Sequence, residues 1–144
     1  MTGARVVTSE QDAYHELSAY TLTHGDIAFI HQHVVDAHAA QRADANTKRI
    51  TLCFALAGLY LHVEKQWTGR RVQLAHMKMA RRKREWPAFQ LPSNRGSMTV
   101  VHVMSHPAGR ERDKAIGDWC VSVWAAFRDN RAAVVRLLEE YGLA

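Results

Sequence analysis

The stretch HGDIAFIHQHVVDAHAAQ, residues 24–41, sets histidines, aspartates and a terminal glutamine among Ile, Phe, Val and Ala. Such groups suit two kinds of chemistry. Neutral imidazoles ligate transition metals, and an imidazole oriented by a carboxylate passes protons near neutral pH. On a helix, the apolar face of this stretch centres between Ile30 and Val34, and Gln41 falls almost on that centre. His31 and His38 then share one flank, and His33 takes the other. Asp36 lies one turn from His33, close enough to form an i, i+3 pair. The acid–base reading therefore has His33 held by Asp36, with His31, Gln41 and Glu64 as the other catalytic candidates. Its plain alternative is an ordinary His–Asp contact on a helix surface.

The metal reading needs ligands that converge. His31 and His38 stand about 10 Å apart along a helix axis, too far to share an ion. A centre has to be assembled across helices, from His31 or His33 with His62, Glu64 or His76. It would take one divalent transition ion, zinc, iron, manganese or copper. The alternative is a set of boundary histidines bonded to carbonyls or carboxylates. Glu64 follows the apolar run LCFALAGLYLHV, and a carboxylate buried there would need a partner.

These residues have to be held by helices, because helical periodicity dominates the chain and no alternating strand pattern appears. The first helix starts near Thr8 or Ser9, with Glu10 and Asp12 in its first turn, and ends before Gly25. Asp26 caps a second helix that runs to about Gln41. The third, about 47–66, is apolar almost all round and belongs in the middle of a bundle. A fourth helix on Val72, Leu74, Ala75, His76 and Met79 closes before Pro87 with the basic run. WPAFQLPSNRG, residues 86–96 within a crossover over 86–97, is irregular and suits a lid or pocket wall, placing Trp86 and Arg95 over a small-molecule pocket. A short helix covers residues 97–104. The last long helix carries the seam Ile116, Cys120, Val123 and Phe127, then Val134, Leu137 and Tyr141 after a polar break at Asp129 and Asn130. The expected architecture is an antiparallel all-α bundle, one domain over 1–144 with a 1–8 tail, four principal helices and one or two short accessory ones.

At 144 residues and 47% hydrophobic, the chain is the size of one ordinary domain. Cys53 and Cys120 lie in apolar runs, which points to a reducing compartment and no disulfide framework. The N-terminus lacks the apolar core of a signal peptide. The run 51–63 is shorter than the roughly 20 residues that span a bilayer. A cytoplasmic protein away from membranes is expected. The net charge of +5 gathers in one segment, from Arg70 and Arg71 to Arg81, Arg82, Lys83 and Arg84. That segment has three readings: a solvated helix end, a face for nucleic acid, or a face for an acidic protein. The C-terminal seam also suits a homodimer.

The set FIHQHVVDAHAAQ, LAGLYLHVEK, GRRVQLAHM, WPAF and DWCVSVWAAF resembles a family of small bacterial proteins classed as a domain of unknown function, from about Tyr14 to Phe127. The resemblance matches His31, Asp36 and Gln41 to the family's polar positions and implies no particular activity. By architecture the chain is also similar to metal-binding four-helix proteins related to DinB, which implies a divalent ion held by three histidines.

Overall fold

The computed structural model describes residues 9–23 and 28–144, and every regular element among them is helical. α1 spans Glu10–Thr23, α2 His31–Arg42, α3 Arg49–Val63, α4 Gly69–Ala80, α5 Val100–Met104, α6 Arg110–Ala126 and α7 Arg131–Glu140. A 3-10 turn at Arg128–Asn130 precedes α7. Thr8, Gly25, Asp26 and the tail 1–8, used above for helix ends and the domain description, lie outside the described residues. Ser9 does open α1, its Oγ accepting the Asp12 N–H at 3.0 Å.

α3 is the central element. It buries Leu52, Cys53 and every residue from Ala55 to Leu61. A helix apolar on all sides needs neighbours on all sides, and α2, α4, α6 and α7 pack against it. α1 lies against α2 and α5, and α5 also meets α6. His33 near the start of α2 stacks on His62 near the end of α3. One turn further along α2, the Asp36 carboxyl lies against Gly58, one turn earlier in α3. The two helices therefore run antiparallel, with polar groups buried along their seam.

Helix ends depart from the periodicity for local reasons. α2 begins at His31 rather than near Asp26 because Phe29 has a left-handed φ of 58°, which cannot continue a helix. α3 stops at Val63 because Gln66 is also left-handed (φ 59°) and the Trp67 N–H turns back to the Leu61 carbonyl at 3.0 Å. α4 ends at Ala80, so the basic run is not helical. Four successive cations disfavour a helix, and two of them are drawn to the C-terminal end of α7. Arg82 donates to the Glu140 carbonyl at 2.8 Å, and Arg84 pairs with the Glu140 carboxylate.

The expected C-terminal seam splits between α6 and α7, and its seven apolar residues are all buried within one chain. No helix among the described residues is long and apolar enough to cross a membrane. Cys53 and Cys120 are buried and unpaired, and burial pushes the Cys53 thiol up to about 12.

The crossover is pinned at several points. Asn130, at the polar break, is buried and pairs with the Gln90 backbone in both directions, accepting its N–H at 2.8 Å and donating to its carbonyl at 3.0 Å. Ser122 Oγ accepts the Ser97 N–H at 2.8 Å. The expected lid is therefore a fastened wall.

Candidate functional site

Asp36 is 3% exposed in the seam between α2 and α3, where an ionised carboxylate is costly. Its Oδ1 accepts from Gln32 Nε2 at 3.2 Å and lies 4.0 Å from His76 Nε2. Its Oδ2 has no hydrogen-bond partner among the described residues. Burial holds the Asp36 pKa well above the usual carboxylate range, against a smaller opposing effect of the Gln32 hydrogen bond. His76 donates from Nε2 to the Phe54 carbonyl at 2.8 Å, which leaves Nδ1 to accept from Gln32 Nε2 at 3.4 Å. Burial lowers the His76 pKa to about 4, so the ring is neutral at physiological pH. One glutamine amide thus bridges a carboxyl and an imidazole whose pKa values are pushed in opposite directions. The cluster borders a cleft of about 290 Å³ walled by Val35, Ile50, Phe54 and Ala55 from α2 and α3.

Two residues of this cluster, Gln32 and Gly58, escaped the sequence reading. A Cβ on Gly58 would overlap Asp36 Oδ2, so the carboxyl has its room only because this helix position lacks a side chain. The signal was available, since an isolated glycine inside an apolar helix usually has a packing reason. The expected His33–Asp36 pair does not form. Adjacent turns on one helix set angular position only, and here Asp36 turns to α4 while His33 turns to the end of α3.

His33 is 5% exposed, and its ring stacks on His62 with centroids 3.5 Å apart. His62 Nδ1 lies 3.4 Å from the Trp67 carbonyl, and burial lowers its pKa. His31 turns the other way, to α1, with Nδ1 2.9 Å from Thr21 Oγ1 and a pKa lowered by burial. His38 stacks on Tyr14 at 3.8 Å, and burial is the main cause of its pKa near 4.

Gln41 does point inward, but its amide is committed to structure. Nε2 donates to the Arg95 and Met98 carbonyls at 3.1 and 2.7 Å, and Oε1 accepts the Trp119 indole N–H at 3.0 Å. Arg95, expected over a pocket, caps the end of α2 by donating to the Gln41 and Ala43 carbonyls at 3.2 and 2.6 Å. Trp86 packs edge-on against Phe54 and parallel to Tyr141, behind the cleft wall. Glu64 is exposed at the end of α3, where Arg131 grips both its oxygens and Trp124 Nε1 donates to Oε2 at 2.7 Å. It fastens α7 to α3, and these cationic and indole donors lower its pKa.

The metal set His31, His62, Glu64 and His76 is therefore not brought together, because each member faces a different helix. Among the described residues no three His, Cys, Asp or Glu side chains could hold an ion jointly. The chain does contain a His-x-x-x-His spacing, His102 and His106. However, α5 ends at Met104, and His102 Nδ1 accepts the Thr99 N–H at 3.2 Å as part of a helix cap.

Fold and site together define an all-α bundle protein with a buried carboxyl–amide–imidazole cluster in its central seam. The chain belongs to the family of unknown function DUF5946, which matches residues 3–128. No curated protein and no solved structure matches it.

Proposed function

We propose that the protein binds a small uncharged molecule in the cleft between α2, α3 and α4 and exchanges a proton with it through Asp36 and His76. The observation that carries this reading is Asp36 itself, a buried carboxyl with one side-chain donor and an imidazole 4.0 Å away. Keeping it there needs a glycine mid-helix, which costs about 1 kcal/mol relative to alanine, in addition to the cost of burial. Departures from good packing of this kind gather at functional sites. The two Gln32 bonds are longer than the usual 2.9–3.0 Å. A ligand with its own donor and acceptor would replace that amide, accepting the Asp36 proton from Oδ1 and donating to His76 Nδ1.

The carboxyl can be tested first through pH. A raised pKa means that the unfolded chain releases this proton before the folded one does. Wild-type stability should therefore fall as pH rises from about 4 towards the folded pKa. Asp36→Asn removes this loss, so the Tm of the variant relative to wild type should climb from pH 4 to pH 8. His76 acts in the opposite sense in both proteins, withdrawing stability as pH falls from about 6.5 towards 4. A relative Tm that is flat with pH would sink the reading. Binding is then tested with 2-pyrrolidone at millimolar concentration, which should shift the His76 ring signals in wild type but not in Asp36→Asn.

A second reading is favoured by charge. Residues 70–84 carry seven basic side chains and no acidic one, and Arg70, Arg71, Lys78, Arg81 and Lys83 are exposed. We infer a polyanion-binding face from this, with nucleic acid as the partner. Labelled single-stranded DNA should bind with an affinity that drops steeply with salt and on reversal of Arg81 and Lys83 to glutamate. Salt-insensitive binding, or none, removes it.

A further inference from the structure

A second cleft, of about 490 Å³, opens between α2, the end of α3, the α3–α4 turn and α6. Ile30, His33, His62, Trp67, Thr68 and Asp113 are among its walls. Its volume lies in the usual range for small-molecule sites. Both stacked rings line it, His33 buried and His62 partly exposed. With Nδ1–H turned to the Trp67 carbonyl, His62 keeps Nε2 as its acceptor.

The cleft is held rigidly, and at a cost. The Arg70 N–H donates to the Ala28 carbonyl at 2.7 Å, tying the segment before α2 to the start of α4. Gly69 permits this approach, since a Cβ there would overlap the Phe29 carbonyl. Among the described residues, Phe29 and Gln66 are the non-glycine positions with positive φ. Gln66 lines the cleft, and Phe29 sits between the lining residues Ala28 and Ile30. Strained backbone of this kind persists where the surroundings over-determine it, and it gathers at ligand clamps.

The walls also define a ligand. Among the described lining residues there is no lysine or arginine to receive an anion. What they offer is aromatic surface and hydrogen-bond acceptors. We propose that this cleft binds a planar, uncharged heteroaromatic molecule, which packs against the Trp67 wall and donates an N–H, in the plane of the imidazole, to His62 Nε2. The inference is independent of the Asp36 cleft.

The test uses the full chain with histidine rings labelled for NMR. Benzimidazole, uncharged at neutral pH, should shift the His62 and His33 ring signals saturably and leave those of His76 in place. Indole-3-acetate, similar in ring size but anionic, should not. His62→Phe keeps a ring of similar size and removes the acceptor, and it should weaken benzimidazole by about fivefold, the worth of one net hydrogen bond. The proposal is overturned if benzimidazole gives no saturable shift at His62, if indole-3-acetate binds equally well, or if His62→Phe binds like wild type. Shifts centred on His76 would also overturn it, and would assign the ligand to the other cleft.

Discussion

Gln41→Ala is expected to lower the free energy of unfolding by about 3 kcal/mol, measured by urea denaturation with tryptophan fluorescence. The size follows from what is left behind. Trp119 is fully buried, so its indole N–H would lose its acceptor inside the core, a loss of about 1–3 kcal/mol alone. The Arg95 and Met98 carbonyls lose their donors at the same time, loosening the crossover where it meets α2 and α6. Gln41→Glu separates the two halves. It keeps an acceptor for Trp119 but points a carboxylate at two carbonyls, so it should be destabilised as well. A loss below about 0.5 kcal/mol for Gln41→Ala, the size of an ordinary surface change, would refute the structural role.

Gly58→Ala should destabilise by about 2 kcal/mol, although alanine is the better helix former by about 1 kcal/mol. The added methyl overlaps Asp36 Oδ2, and the carboxyl can move aside only by giving up its Gln32 hydrogen bond. The decisive experiment is a double-mutant cycle. In an Asp36→Ala background the overlap is gone and only His76 Nε2, 3.2 Å from the methyl position, has to give slightly, so Gly58→Ala should become close to neutral. Additive effects of the two substitutions would mean that Gly58 serves some other purpose.

Legibility in the sequence followed physical reach. The apolar circumference of LCFALAGLYL placed α3 at the centre, where the structure has it. Angular position on α2 aimed Gln41 inward, which it is, and the Ser9–Glu10–Asp12 start of α1 was readable from its own residues. The helix ends at Phe29 and Gln66 were not, because a left-handed residue leaves no compositional mark unless it is glycine. Glu64 and Arg95 were misjudged for a related reason. Each is a charged group beside apolar residues, a local fact that fits a pocket equally well as a clamp between distant segments. Arg131 and the end of α2 are what make them clamps, and both are far away in the chain.

The histidines show where the division falls. Periodicity alone determined that this chain is helical, that α3 is wrapped by neighbours, and that His31 leaves α2 on one flank and His33 on the other, with Asp36 one turn from His33. Only tertiary structure decided that those directions lead to Thr21, His62 and His76. A repeat of 3.6 residues sets the angle of each side chain about its own axis. The rotation and sliding of one axis against another come from the packing of all the side chains between them, and that is what selects each partner.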